Sequence, residues 1–215
     1  MIRLAVTALR GGSGVTTLVA GMAQAAASEG LDVICIDPDD QGLLEHNLGM
    51  VTLADDGEPR NAGARITYQA GEDWRTTNPG DVILFDLARS RPDLRDEVLA
   101  GADAIVLVVS ASAASLAMAP AAKAFLAQGE NRFLLINLDD FRLPLKKAVG
   151  GYLEEQFKDR LIGRIRQDGA VEDALASLES LSAVAPHSAA WTEMRAAFVT
   201  LLNRMNTLQI AAKPR

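Results

Sequence analysis

Residues 2–28 read IRLAVTALRGGSGVTTLVAGMAQAAAS. An apolar run at 2–7 gives way to a glycine-rich loop. An alanine-rich stretch at 16–28 follows, with Gly30 placed to stop it. Strand, loop and helix in that order open a layered α/β fold. The order also sets residues 9–15 beyond the carboxyl end of a strand, where open parallel sheets bind ligands.

The rest of the chain repeats the pattern. Short apolar runs at 32–36, 82–85, 104–109, 133–136 and 161–165 have the length and β-branched content of buried strands. Helices are expected at 91–100, 116–128, 145–157 behind Pro144, 170–181 and 188–208. This alternation predicts an α/β fold: an open, mainly parallel sheet with helices on both faces, in a single domain spanning 1–215. Residues 55–80 are polar and rich in Gly, Pro and Asn. They read as a surface excursion with one edge strand at 64–69. In the last helix Trp191, Met194, Phe198, Leu201, Leu202, Met205 and Leu208 share one face, expected to pack on the sheet, with docking on a membrane or a partner as the alternative.

Composition removes several function classes. The chain carries 28 acidic and 21 basic residues, a formal net charge of −7. That balance disfavours non-specific nucleic-acid binding, which needs cations to neutralise phosphates, and docking on anionic lipid for the same reason. Cys35 is the only cysteine, so no internal disulfide forms and a reducing cytosol fits. The opening MIRLAVTA is too short in its apolar part for a signal peptide. Residues 104–122 are uncharged, but Ser110, Ser112, Ser115 and Pro120 mark a buried strand, a turn and a helix rather than a membrane span. His46 and His187 are isolated, and no nucleophile–base pair stands out.

Two chemistries compete for the glycine loop. A dinucleotide fingerprint, G-x-G-x-x-G, would need glycine at position 17, which is Thr17; Asp37 does sit where a ribose carboxylate belongs. A phosphate-cradling P-loop fits the glycines, the Thr16–Thr17 pair and the helix start, but its lysine position holds Val15. Taken alone, the loop is also consistent with a structural turn. Its companions favour the P-loop. The second strand ends DPDDQG at 37–42, bringing carboxylates suited to Mg²⁺ and attacking water to the same crevice. The third ends ILFDLAR, with Asp86 placed as a Walker B aspartate. Arg89 and Arg91 follow, either to meet phosphate or a partner or as solvated surface. The fifth ends LLIN, where Asn137 has the donor and acceptor to read an adenine edge, and residues 166–169 would close over the base.

Together these pieces resemble the deviant Walker A ATPases of the MinD/ParA group, whose loop reads K-G-G-x-G-K-[ST]-T. Within it the chain is similar to the BcsQ (YhjQ) family of bacterial cellulose-synthesis operons, with RGGSGVTT, DLAR and INLDDFR carrying the likeness. The resemblance spans about residues 1–200 and is patchy at 55–80. It implies ATP and Mg²⁺ as cofactors. Arg10, Gly11, Gly12, Ser13, Gly14, Val15, Thr16 and Thr17 would cradle phosphates, with Asn137 on the base. Thr16, Asp37 and Asp86 would support Mg²⁺, partly through water, and Asp39 would orient attacking water. Arg10 stands where the group's signature lysine crosses to a partner subunit's nucleotide, implying a homodimer. The family resemblance further implies a small companion subunit and cytosolic parts of a membrane cellulose synthase as partners, and peripheral recruitment to the inner membrane through them.

The missing lysine removes a charge-assisted contact of about 1.5–3 kcal/mol, on the order of ten- to a hundredfold in affinity. An amide cradle with Mg²⁺ survives that loss more easily than catalysis does, because phosphoryl transfer depends on stabilising transition-state charge. Binding with slow or absent hydrolysis is therefore expected. An active positioning ATPase and a nucleotide-free interaction module remain as alternatives.

Overall fold

The computed structural model describes residues 1–38, 43–50, 60–61, 65–71, 80–88, 90 and 92–212. The chain runs β1 (Ile2–Ala8), α1 (Val15–Ser28), β2 (Val33–Asp37), α2 (Leu43–Asn47), β3 (Arg60–Asn61), β4 (Ile66–Ala70), β5 (Val82–Leu87) and α3 (Pro92–Gly101). It continues β6 (Ala104–Ser110), α4 (Ala113–Leu126), β7 (Arg132–Asp139), α5 (Pro144–Phe157), β8 (Leu161–Arg166), α6 (Gly169–Ser177), α7 (Leu181–Val184) and α8 (Ala189–Ala212). Among the described residues the strands form one sheet in the order β3-β4-β2-β5-β1-β6-β7-β8. All pairings are parallel except β3 with β4. The expected open, mainly parallel sheet is thus the observed one.

Alternation along the strands sorts the core into two layers. Leu4, Val6, Cys35, Leu84 and Val106 face α1 and α8. Ala5, Ile34, Phe85, Leu107 and Ile136 face α3, α4 and α5. In α8, Trp191, Met194, Phe198, Leu201 and Met205 are buried against the first layer, with Leu202 and Leu208 partly buried beside them. No helix among the described residues is long and apolar enough to cross a membrane.

Several expected elements shift. The strand expected at 64–69 as the sheet edge is β4, which lies one place in, because β3 pairs outside it. Five residues of α2 had no periodic signal to reveal them. Helix α4 starts at Ala113, three residues earlier than expected. The serines bond each other instead of breaking the helix: Ser110, Ser112 and Ser115 hydroxyls form a closed ring at 3.0, 3.3 and 3.2 Å. The single helix expected at 170–181 is two, parted at Leu178, whose φ of +55° ends α6 in the left-handed region. Tertiary packing sets that break. A Cβ on Gly49 would come within 2.6 Å of the Ser180 nitrogen, so the end of α2 presses on the α6–α7 junction. Gln24 of α1 ties the same corner, accepting from Ser182 N at 3.1 Å and donating to Asn47 O at 3.5 Å.

Candidate functional site

The sheet order places β1 between β5 and β6, so the loop at 9–14 emerges at the centre of the carboxyl edge. Backbone conformation there depends on glycine. Gly12 and Gly14 have φ of +74° and +81°, the left-handed region that side chains strain to enter. A Cβ on Gly11 or Gly12 would meet nothing within 4 Å, and Arg10, Gly11 and Gly12 are exposed. The loop is therefore an open cradle rather than a packed turn.

Gly14 caps α1 without any side-chain oxygen, and the first turn holds no acidic residue. The first helical bond runs from Leu18 N to Gly14 O at 3.1 Å. The amides of Val15, Thr16 and Thr17 therefore precede it with no intrahelical acceptor. Such an end favours anions through its N–H groups and helix dipole. Thr16 and Thr17 are partly exposed there, whereas the Val15 side chain is 4% exposed and packs into the core. The position expected for a phosphate-binding lysine thus faces inward as a hydrocarbon.

The loop is braced from β7. Asn137, 5% exposed, donates from Nδ2 to the Ser13 carbonyl at 2.9 Å, while Ser13 Oγ donates to Arg10 O at 3.1 Å. Contact is close enough that a Cβ on Gly14 would lie 2.3 Å from Asn137 Nδ2. The sequence suggested only a base-reading amide here; the structure engages its nitrogen in holding the cradle. Ser110 pairs with Asn137 in the β6–β7 ladder, which brings the hydroxyl ring beside the same loop.

One residue beyond the Ile36–Phe85 pair, Asp37 ends β2 and Asp86 stands one residue before the end of β5. Both lie two residues past core positions of the α1 face, Cys35 and Leu84, and so share that face with the cradle. Each is almost fully buried. Asp37 Oδ2 accepts from Leu44 N at 3.3 Å, and Asp86 Oδ1 accepts from Ala88 N at 3.0 Å, so each carboxylate shapes the turn that follows it. Cys35 registers them electrostatically. Burial pushes its thiol pKa strongly upward, and the charges of Asp86 and Asp37 push it further. Asp39, with Asp40, Gln41 and Gly42, lies outside the described residues, as do Arg89 and Arg91.

Behind Asn137 the strand bulges. Leu138 has φ +54°, and register slips between Ile136 and Asp139. Asp139 is buried beneath this bulge and accepts on Oδ2 from Arg164 Nε and Nη2 at 2.9 and 2.6 Å. Its Oδ1 has no hydrogen-bond partner. Arg164 also pairs with Glu154 of α5. At the end of β8, residues 166–169 stand beside Asn137's strand, with Gln167 N bonded to Asp139 O at 2.8 Å. Asp168 joins two helices there. Its Oδ1 accepts from Ala170 N and its Oδ2 from Ala190 N, each at 3.1 Å, at the starts of α6 and α8. Burial disfavours its charge, but the amides of Ala190, Ala170 and Ala189, with Arg166, outweigh that and hold the carboxyl below its usual range. Neither Asp139 nor Asp168 stood out in the sequence. Only Asp168, followed by Gly169 and an alanine-rich stretch, carried a local cue, that of a helix cap.

Glycine conformation, an uncapped helix start at a central strand and paired carboxylates at the neighbouring strand end define a P-loop type nucleotide-binding fold. Residues 4–181 match the CobQ/CobB/MinD/ParA nucleotide binding domain family, CbiA, and the chain belongs to that family. No curated protein matches the chain. Among solved structures it is similar to the MinD cell division protein of Aquifex aeolicus, with a TM-score of 0.77 at 18% identity over 94% of this chain and 97% of that one. A ParA family ATPase from Chlorobium tepidum TLS gives 0.72 at 18%, over 92% and 98%. The septum site-determining protein MinD of Pyrococcus horikoshii OT3, complexed with Mg-ADP, gives 0.70 at 17%, over 99% of both chains. The fold is that of MinD/ParA-family nucleotide-binding ATPases.

Proposed function

We propose that residues 1–215 form a single nucleotide-binding domain that binds ATP with Mg²⁺ and hydrolyses it slowly or not at all. It would act as a nucleotide-bridged homodimer in bacterial cellulose synthesis and secretion. The observation that carries this reading is the open amide cradle at Gly11–Thr17 whose lysine position is a buried valine. The residues present fit the ligand: left-handed glycines, first-turn amides with no intrahelical acceptor, and two buried carboxylates on the same face.

Residues 11–17 would hold the phosphates through backbone N–H groups, and Arg10 would reach a second subunit's nucleotide with bidentate geometry. Thr16 would contribute a hydroxyl to Mg²⁺, with Asp37 and Asp86 supporting it partly through water. Bound Mg²⁺ would neutralise phosphate charge. Asn137 would keep the cradle shaped through Ser13, with Asn137 and residues 166–169 beside the base. Asp39 would orient water in any hydrolysis that occurs. With Val15 in place of an ammonium, the cradle lacks at that position the fixed charge that would stabilise the phosphoryl-transfer transition state. The cellulose assignment, with a small companion subunit, a membrane synthase and peripheral recruitment as its context, rests on the RGGSGVTT, DLAR and INLDDFR likeness.

Equilibrium titration with MgATP up to millimolar concentration tests the core of this reading. Saturable binding with turnover far below one per second supports it; no detectable binding sinks it. Deleting the coding sequence and measuring secreted cellulose tests the pathway assignment separately.

A further inference from the structure

On the face of the sheet opposite α1, an open cleft of about 500 Å³ runs between α3 and α4 and reaches the start of β7. It lies apart from the glycine loop. Leu99 and Phe125 line it together with Arg95, Asp96 and Arg132. Arg132 is fixed in place: its guanidinium stacks 4.3 Å from the Phe125 ring centroid and donates from Nη1 to Phe125 O at 3.2 Å. Burial lowers its pKa, the sign of a guanidinium partly stripped of water without a compensating anion.

Among the described residues Arg95 and Arg132 share with Arg10 and Arg204 the lack of a carboxylate partner, but these two line one cleft. Arg65, Arg142, Arg160, Arg164, Arg166 and Arg195 each hold a carboxylate. Among the described residues neither Arg95 nor Arg132 does, and Asp96 shares the cleft without bridging to either. In a chain with seven more acidic than basic residues, two unpaired guanidiniums beside the one carboxylate of Asp96 leave this cleft with a net positive charge. At the other end of the cleft, the Ser90 hydroxyl is buried with no hydrogen-bond partner, a group that calls for an explanation.

We infer that the α3–α4 cleft is a binding site for an extended acidic segment of a partner protein, its carboxylates meeting Arg95 and Arg132 and its apolar atoms lying on Leu99 and Phe125. The two cations stand at different levels, Arg95 in the first turn of α3 and Arg132 at the start of β7. Separate anionic groups on one chain suit that spacing better than one compact anion. Ten residues of α3 rise about 15 Å, the length of roughly four to five extended residues. Acidic side chains at alternate positions of an extended segment share one face, and the Ser90 hydroxyl can turn to a peptide group of the same segment. This site needs no nucleotide in the glycine loop.

The test is an NMR titration of the ¹⁵N-labelled full chain with the blocked peptide acetyl-(Glu-Ala)4-amide, beside acetyl-(Gln-Ala)4-amide and free succinate. The glutamate peptide is expected to shift the amides of Ser90, Arg95, Leu99 and Phe125, while the glutamine peptide leaves them in place. Arg95→Glu is expected to weaken binding about tenfold or more, the scale of losing one charge-assisted contact. The variant's own spectrum reports that it remains folded. Unmoved cleft amides with the glutamate peptide, equal response to the glutamine peptide, or unchanged binding by Arg95→Glu would overturn the proposal. Saturation by succinate at the same concentration would overturn the peptide assignment in favour of a free dicarboxylate.

Discussion

Asn137 on β7 and Ser13 in the glycine loop, 124 positions apart, are joined by a 2.9 Å hydrogen bond from Nδ2 to the Ser13 carbonyl. The same nitrogen occupies the space a Gly14 side chain would need. Gly14→Ala is therefore expected to destabilise the protein by about 2–3 kcal/mol, combining left-handed strain with loss of that bond. Asn137→Ala is expected to cost about 1–3 kcal/mol by leaving a buried carbonyl unmet. Because both remove one interaction, the double variant should lose at least about 1 kcal/mol less than the sum. Urea unfolding of the four proteins measures the cycle; strict additivity would show that the two positions act independently.

Gly150 gives a prediction in which the sign itself is the readout. A Cβ there would lie 2.7 Å from Arg164 Nη2 and 2.8 Å from Asp139 Oδ1. Helix propensity alone favours alanine by about 1 kcal/mol. Displacing the buried Asp139–Arg164 pair should reverse that, making Gly150→Ala net destabilising by about 1–2 kcal/mol. In an Asp139→Ala/Arg164→Ala background the obstruction is gone and the same change should stabilise. Thermal unfolding in both backgrounds decides it.

Asp168 makes stability depend on acid in a defined sense. Its folded pKa is depressed, so its contribution is fully present above the unfolded value of about 3.9 and lost as pH falls through the folded value. Asp168→Asn keeps an acceptor for the α6 and α8 amides but cannot titrate. The variant should unfold more readily near neutral pH and show a flatter decline below pH 4. Urea midpoints from pH 2 to 7 would reveal parallel curves if Asp168 were not linked to folding.

Cys35 is predicted to be chemically silent. Its thiol is fully buried and its pKa raised, first by burial and then by Asp86 and Asp37, so almost no thiolate exists at neutral pH. Ellman's reagent at pH 8 should label the native protein only as fast as it unfolds, and immediately in denaturant. Rapid native labelling would mean that the β2–β5 pairing opens far more often than its packing implies.

The parallel sheet was legible because its strands are short apolar runs separated by helix-length segments, and β1 to α1 carried the clearest signal. The carboxylates Asp37 and Asp86 were legible for the same reason: each interrupts an apolar run near the carboxyl end of its strand, although both are buried there. Other features depend on contacts no local pattern encodes. Leu178 adopts a left-handed conformation because α2 packs on the next residues, so no glycine marks the break. Asp139 and Arg164 are 25 positions apart and look like surface charges until the sheet closes. Ser110, Ser112 and Ser115 suggested a turn, but they satisfy one another and leave α4 free to begin early. Asn137 was marked as a ligand-facing amide, while its bond to Ser13 is visible only once β7 stands two strands from β1.

The burial of Val15 has a consequence for ionic strength. A lysine in a phosphate loop binds as a net charge, whose pull mobile ions weaken. Backbone amides act as dipoles at contact distance, well inside a Debye length of about 8 Å at physiological salt. With Val15 turned into the core, Arg10 is the only cation the loop itself carries. Phosphate affinity in this protein should therefore change little as potassium chloride rises, whereas contacts made through Arg10 between subunits should fade.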